Sequence, residues 1–124
     1  MSATVLVVED NALNLKLVRD VLGHAGYRAL EAADAEQGIA AARAERPDLV
    51  LMDIQLPGID GIEALARLRA DEATAAIPVA ALTAQAMKDD RERFLAAGFD
   101  GYLEKPVSVP ALPGQVEALI AGAR

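Results

Sequence analysis

The most informative absences in this chain of 124 residues are those of sulfur and imidazole. There is no cysteine, which excludes disulfide bonds, thiolate metal ligands and a cysteine nucleophile. The single histidine, His24, excludes a histidine-rich metal cage and argues against a serine–histidine–aspartate triad. Aromatic residues make up only 3%, so valine, isoleucine, leucine and alanine must fill the core. No apolar run reaches the roughly 18 residues that a membrane-spanning helix needs, and the first residues lack the features of a signal peptide.

Positive charge is also scarce. Twelve lysines and arginines stand against 19 acidic residues, which gives a formal net charge of −7. A phosphate backbone would be repelled, so nucleic acid is excluded as a partner of the chain alone. The 53% hydrophobic and 25% charged residues are typical of a folded globular protein. We therefore expect a soluble, cytoplasmic protein with one domain across residues 1–124.

A short apolar run followed by a longer stretch at helical spacing recurs five times. The runs are residues 5–8, 27–30, 49–52, 79–82 and 101–103. The first and third are continuous and branched, as in strands buried on both faces of a parallel sheet, whereas the second alternates as an edge strand does. The pattern predicts an α/β fold in which five parallel strands carry helices on both faces.

The stretches between the runs predict five helices. Leu17, Val18, Val21 and Leu22 form the apolar face of the first helix, and residues 35–44 form a weakly amphipathic second helix. The other three helices are predicted from Ile62, Leu65, Ala66 and Arg69, from Met87, Arg91, Phe94 and Leu95, and from Val116, Leu119 and Ile120. Gly26 and Gly98 are expected to end the first and fourth helices, and Asp60 to cap the third. The last helix either begins near Leu112, with Pro113 in its first turn, or is kinked by that proline.

Polar side chains directly follow all five runs, although the second run offers only Glu31. The others are Glu9 and Asp10, Asp53, Thr83, and Glu104 with Lys105. Ligands of open α/β sheets bind outside the carboxyl ends of the strands, at the point where strand order switches. If these strands are neighbours, their carboxylates repel one another and need protons or a cation. An all-oxygen donor set favours Mg²⁺. The turn at residues 53–58 could add a backbone carbonyl, while Lys105 and Thr83 would hold phosphoryl oxygens.

Each of these residues alone is more commonly a strand end, a helix cap or a solvated lysine, so the interpretation depends on their combination. Two other functions deserve comparison. A flavin- or nucleotide-binding domain would need a phosphate loop rich in glycine or hydroxyl side chains after the first strand, where Glu9 and Asp10 would repel phosphate. A metal-dependent phosphohydrolase would need a second acid two residues after Asp53, where Gln55 stands, and a cap domain.

Four segments together resemble the receiver domain of two-component response regulators. They are Val7-Val8-Glu9-Asp10-Asn11, residues 51–58, Leu82-Thr83-Ala84 and Lys105-Pro106. The resemblance covers essentially the whole chain and implies a flavodoxin-like sheet of order 2-1-3-4-5. Residues 11–17 and 86–88 are most similar to single-domain, DivK-like regulators of cell division and to receivers attached to hybrid histidine kinases. The implied organisation is one receiver domain over residues 1–124 without an output domain.

The resemblance implies that Asp53 accepts a phosphoryl group from the phosphohistidine of a histidine kinase or histidine phosphotransferase. The implied site consists of Asp10, Asp53 and the Gln55 carbonyl as direct Mg²⁺ ligands, Glu9 acting through a bound water, and Thr83, the Ala84 N–H and Lys105 on the phosphoryl group. The protein would be a signalling switch that catalyses only its own phosphorylation and dephosphorylation, and kinases could also be its allosteric targets. A phosphorelay shuttle and a non-phosphorylated docking module remain as alternatives.

The resemblance also implies a switch and a docking surface. Thr83 would move towards the phosphoryl group and Tyr102 would rotate into the vacated space, although an aromatic side chain near a strand end can also pack there without switching anything. The implied partner-binding residues are Leu13, Asn14, Leu17, Pro106 and Val107. Leu13 lies outside the apolar stripe of the first helix, and for that reason we expect it to be exposed.

Overall fold

The computed structural model describes residues 3–84 and 88–122, without the side chains of 88–91. Strands and helices alternate along the chain, as the five repeats predict. They are β1 (Thr4–Val8), α1 (Ala12–His24), β2 (Arg28–Ala32), α2 (Ala35–Glu45), β3 (Leu49–Asp53), α3 (Gly61–Ala70), β4 (Val79–Thr83), α4 (Lys88–Ala97), β5 (Gly101–Glu104) and α5 (Leu112–Gly122). None of the helices in the described part of the chain has the length and apolar character needed to cross a bilayer.

The five strands form one parallel sheet in the order β2-β1-β3-β4-β5. Both the predicted fold class and the strand order are therefore confirmed. β3 and β4 lie inside the sheet, and all five residues of each are buried. Such strands face helices on both sides, which explains their unbroken apolar sequences. β2 lies at an edge, as its alternating sequence predicts.

Side chains alternate between two cores along each strand, because successive residues of a strand point to opposite faces. Leu6 and Val8 of β1 pack with α2, α3 and α4, in a core that also contains Phe94. Val5 and Val7 pack with α1 and α5 on the opposite face. The sheet is thus covered by helices on both sides, and its carboxyl edge is left for the polar residues that follow the strands.

Most of the predicted helix ends are confirmed. The Asp60 side chain accepts a hydrogen bond from the Glu63 N–H at 2.9 Å and caps α3. Gly26 and Gly98 follow α1 and α4 with φ of 96° and 110°, a region that glycine enters without steric cost. α5 begins at Leu112, so the proline that follows it lies in the first turn, where its missing N–H removes no helical hydrogen bond.

One boundary of the predicted elements is wrong. β2 begins at Arg28 rather than Tyr27, because the Tyr27 N–H donates to the Leu22 carbonyl at 2.9 Å and so closes the end of α1. Leu95 and Phe94 lie in the fourth helix as predicted; Phe94 is buried, whereas Leu95 is 51% exposed. Met87 and the Arg91 side chain, predicted in the same helix, lie outside the described residues.

Candidate functional site

Three acidic side chains meet at the carboxyl ends of β1 and β3. Glu9 and Asp53 are 1% and 4% exposed, whereas Asp10 is exposed. One carboxylate oxygen from each of the three lies within 4.8 Å of the others. Among the residues that the structure describes, this is the one such group of potential metal ligands. Three carboxylates at this spacing repel one another unless positive charge is present.

Lys105 supplies part of that charge. Its Nζ donates to Oδ2 of Asp53 at 2.8 Å and lies 2.6 Å from Oε2 of Glu9. Burial alone would lower the pKa of this lysine, but the hydrogen bond to Asp53 and the contact with Glu9 outweigh burial and raise its pKa. Burial raises the pKa of Glu9, and the Asp53 carboxylate adds to this, while the lysine offsets part of the effect. The ammonium is therefore held firmly charged between two buried acids.

The alternation of the strands explains why these three residues meet. Glu9 follows Val7 by two positions, Asp53 follows Leu51 by two, and Lys105 follows a buried leucine of β5 by two. All three therefore continue the sheet face that packs against α1 and α5. Backbone hydrogen bonds between neighbouring strands continue beyond the strand ends. The Glu9 N–H donates to the Ala32 carbonyl at 3.0 Å, and the Lys105 N–H donates to the Thr83 carbonyl at 2.9 Å.

The loop after Asp53 folds back over the site. The Gln55 N–H donates to Oδ1 of Asp53 at 3.0 Å, which fixes the carboxylate and places the Gln55 backbone beside it. Gly58 follows Pro57 with φ of 82°, the positive value that the third position of a type II turn requires. The chain therefore bends within the segment where the turn is predicted, and delivery of a backbone carbonyl to a metal stays a prediction.

Asn11 is a supporting residue that the sequence interpretation did not single out. Its side-chain oxygen caps α1 by accepting from the N–H groups of Leu13 and Asn14 at 3.0 and 3.1 Å. Its own N–H donates to Oε1 of Glu9 at 3.1 Å. The start of α1 thereby orients one of the buried carboxylates. The sequence signal for this role of Asn11 is an asparagine, a common N-cap residue, directly after an acidic pair.

Thr83, Ala84 and Tyr102 do not belong to the acidic cluster. Thr83 is buried at the end of β4, one step beyond the residue that pairs with Asp53, and Ala84 is exposed beyond it. Tyr102 pairs with Ala81 in the sheet and packs, half-buried, against the core that contains Phe94. By alternation Thr83 continues that same face of the sheet. The two predicted switch residues therefore share the side of the sheet that carries α4.

The predicted partner-binding residues lie beside the site, on α1 and after β5. Asn14, Leu17, Pro106 and Val107 line a small cleft that ends at Glu9 and Lys105. Leu13, which is 79% exposed, projects from the first turn of α1, as expected. The Lys105–Pro106 peptide bond is cis. The structure thus brings all five predicted surface residues to the α1 side of the acidic cluster.

The residues of this cluster fit a magnesium ion. The donors are carboxylate oxygens, without sulfur or imidazole, which is the set that Mg²⁺ prefers. Oε2 of Glu9 is buried and lies 2.6 Å from the Lys105 ammonium, which also neutralises Asp53. One ammonium also leaves three carboxylates undercompensated. A divalent cation would remove this imbalance.

A parallel sheet with helices on both faces and an acidic cluster at its carboxyl edge are together typical of one class of signalling proteins. Residues 5–117 match the response regulator receiver domain, and the chain belongs to this family. Its members are signalling switches of two-component systems that interact with histidine kinases or phosphotransferases and bind Mg²⁺ at the acidic cluster.

Individual relatives agree with this assignment. The chain is 42% identical to the polar-differentiation response regulator DivK of Brucella anthropi over 123 residues, which cover 99% of this chain and 100% of that protein. It is similar in structure to the receiver domain of a sensor histidine kinase from Pseudomonas aeruginosa, with a TM-score of 0.88, 37% identity, and coverage of 98% of this chain and 99% of the other. That crystal structure holds a magnesium ion coordinated in its active-site cleft. A chemotaxis response regulator of Vibrio cholerae has a TM-score of 0.90 at 27% identity, over 96% of this chain and 99% of the other.

Proposed function

We propose that this receiver accepts a phosphoryl group on Asp53 from a histidine kinase or a histidine phosphotransferase, in a reaction that depends on Mg²⁺. The observation that carries the proposal is the setting of the Asp53 carboxylate. One oxygen accepts from the Gln55 N–H at 3.0 Å and the other from Lys105 Nζ at 2.8 Å, with the carboxylates of Glu9 and Asp10 beside them. A carboxylate fixed in this way at an open sheet edge is positioned as a nucleophile.

The transfer needs little covalent assistance. An oxygen of Asp53 attacks the phosphorus of a phosphoimidazole, a P–O bond forms as the P–N bond breaks, and the bonding electron pair returns to the imidazole nitrogen. Positioning and charge neutralisation supply most of the catalysis in phosphoryl transfer. Lys105 would pair with the transferred group, and the Thr83 hydroxyl and the Ala84 N–H would donate to it.

The metal would be held by groups that the structure brings together. Asp10, Asp53 and the Gln55 backbone carbonyl are the proposed direct ligands, and Glu9 would act through a bound water. When bound, Mg²⁺ supplies the positive charge that the carboxylates and the phosphoryl oxygens share. The protein would then be a switch that catalyses only its own phosphorylation and dephosphorylation, and it would act in the cytoplasm.

The proposed switch connects the phosphoryl site to the face formed by α4, β5 and α5. Phosphorylation adds up to about two negative charges, and Thr83 would move towards them. Tyr102 lies on the same side of the sheet and would turn into the space that this movement leaves. The phosphoryl group can shift the equilibrium only by its different interaction with the two states, typically about 1–3 kcal/mol. Histidine kinases are proposed both as phosphodonors and as targets of the switched surface.

The test is the intact mass of the protein after incubation with acetyl phosphate, with and without Mg²⁺. We expect a gain of one phosphoryl group that requires Mg²⁺ and is absent from Asp53→Ala. Asp20→Ala is the matched control, because Asp20 is an exposed aspartate of α1 whose carboxylate pairs with Lys16 and does not belong to the acidic cluster. A mass gain in Asp53→Ala would refute the assignment of the acceptor.

A histidine kinase or phosphotransferase replaces acetyl phosphate in a second arm of the experiment. A gain in this arm alone would identify a receiver that depends strictly on its protein donor. No gain in either arm would overturn the proposal in favour of a docking module. Return of the phosphoryl group to a second phosphotransferase, without any change in partner binding, would identify a phosphorelay shuttle instead of an effector.

A further inference from the structure

The first residue of α3 lies unusually close to the backbone that carries Asp53. The Gly61 N–H donates to the Ile54 carbonyl at 3.1 Å. A Cβ atom on Gly61 would lie 2.6 Å from the carbonyl oxygen of Asp53 and 3.0 Å from Cα of Ile54. Both neighbours are backbone atoms, which cannot rotate aside as the end of a side chain can. Glycine is therefore required at position 61 because there is no room for a Cβ atom, and not because the backbone is left-handed.

The segment that Gly61 touches is the one that positions the site. The Ile54 N–H donates to the Leu82 carbonyl at 3.1 Å, which ties the segment to β4. The Gln55 N–H donates to Oδ1 of Asp53 at 3.0 Å. Residues 53–55 are consequently held by β4 on one side and bounded by the start of α3 on the other. An added Cβ at position 61 has to move α3, residues 53–55 or both, and the hydrogen bond between Gly61 and Ile54 couples the two. A displacement at Gly61 thereby reaches the segment that carries the acceptor carboxylate and the Gln55 carbonyl.

We propose that Gly61 is a positioning residue for the phosphoryl-acceptor site. The absence of its side chain allows α3 to approach so closely that Asp53 and the Gln55 carbonyl face the same ion. This inference rests on the proposed function. An added methyl group would have to open the 2.6 Å contact to at least 3.0 Å, the shortest separation that real Cβ atoms show. Opening this contact from 2.6 to 3.0 Å takes up most of the roughly 0.5 Å within which functional groups keep their working geometry. Mg²⁺ is especially sensitive to such a shift because it demands nearly ideal octahedral coordination.

The experiment compares Gly61→Ala with the unmodified protein in two measurements. In the metal-free protein, the ¹H–¹⁵N NMR signals of the Ile54 and Gln55 amides should shift, because their backbone moves. In a titration with Mg²⁺, the dissociation constant should rise by about 10-fold, the lower end of the range for groups that orient metal ligands. The rate of phosphorylation by acetyl phosphate should fall with it.

The control is a glycine whose replacement strains the protein elsewhere. Gly26 has φ of 96° and no atom near its vacant Cβ position, so Gly26→Ala costs stability through the backbone alone. It should keep the Mg²⁺ affinity and the Gln55 amide signal of the unmodified protein. If Gly61→Ala fails to fold, it is made together with Gly23→Ala and Gly114→Ala. These helical glycines have open space around them, so alanine there stabilises the chain.

The outcomes separate this inference from the proposed function. If Gly61→Ala shifts no amide signal at Ile54 or Gln55, or shifts them and keeps the full Mg²⁺ affinity, the positioning role is wrong. If Gly26→Ala weakens Mg²⁺ binding equally, the effect is general destabilisation and the role is again wrong. If the unmodified protein binds no Mg²⁺ and gains no phosphoryl group, the proposed function fails. The amide signals then still decide whether Gly61 positions residues 53–55.

Discussion

Lys105 shows how much of this site depends on one side chain. Its ammonium contacts Asp53 at 2.8 Å and Glu9 at 2.6 Å, and both carboxylates are buried. A buried ion pair adds little stability compared with an apolar replacement of both partners, but loss of one partner leaves the other charge uncompensated. The exposed pair of Lys16 and Asp20, with a similar separation of 2.7 Å, lies in water and matters far less.

Replacement of Lys105 by methionine should therefore lower the free energy of unfolding by about 3 kcal/mol in the absence of Mg²⁺. Added Mg²⁺ should restore more stability to this variant than to the unmodified protein, because the cation takes over the neutralisation. Urea unfolding with and without Mg²⁺ measures both effects. Lys16→Met is the control and should cost less than about 1 kcal/mol. Equal urea midpoints for the two variants would contradict the role given to Lys105.

The positions of the reactive residues could be predicted from the sequence, but their contacts could not. Asp53 and Lys105 follow apolar runs, and a parallel sheet brings the ends of all its strands to one edge. The hydrogen bond between them spans 52 residues of chain. The close approach of Gly61 to the Asp53 backbone likewise appears only once α3 is placed against the sheet. Local patterns identify strand ends, whereas these contacts depend on how the elements pack.

At the scale of elements, Arg69 ties the end of α3 to two loops at the amino edge of the sheet. Its guanidinium donates to the carbonyls of Ala75 and Ile77 and to the Asp100 carboxylate at 2.8 Å. Asp100 also accepts from the Val79 N–H at 2.8 Å, at the start of β4. The spacing of apolar residues in the sequence predicts for Arg69 only a place in the third helix. Its partners lie up to 31 residues away and follow no local rule.

Arg69→Met should destabilise the protein by about 2 kcal/mol, because several carbonyl and carboxylate acceptors lose a charged donor at once. Arg69→Lys should recover little of this loss, since an ammonium cannot reproduce the planar fork of the guanidinium. The measurement is the free energy of unfolding in urea. Arg67→Met is the control, as Arg67 is exposed and lies 3.9 Å from Glu63. Full recovery by lysine would show that charge alone, and not the fork, makes the connection.

At the scale of the whole molecule, exposed leucines lie on two different faces. Leu13 projects from α1 beside the cleft that leads to Lys105. Leu95 projects from α4 and lines a groove with Tyr102 between α4, β5 and α5. The exposure of Leu13 could be predicted, because it falls outside the apolar stripe of α1. The exposure of Leu95 could not, because spacing alone does not tell how wide a face a helix buries.

The two leucines allow the docking surface to be separated from the switched surface. If a phosphodonor protein docks on the α1 side, Leu13→Ala should slow phosphotransfer from a histidine phosphotransferase by about 10-fold, the size of a moderate interface contribution. Phosphorylation by acetyl phosphate should not change, because the Leu13 side chain is 79% exposed and does not belong to the acidic cluster. Leu95→Ala removes the same apolar group from the other face and should leave both rates unchanged. Both variants should keep the urea midpoint of the unmodified protein, since exposed side chains contribute little to stability. Slower phosphotransfer in Leu95→Ala, with Leu13→Ala unaffected, would place the docking surface on the face of α4, β5 and α5 instead.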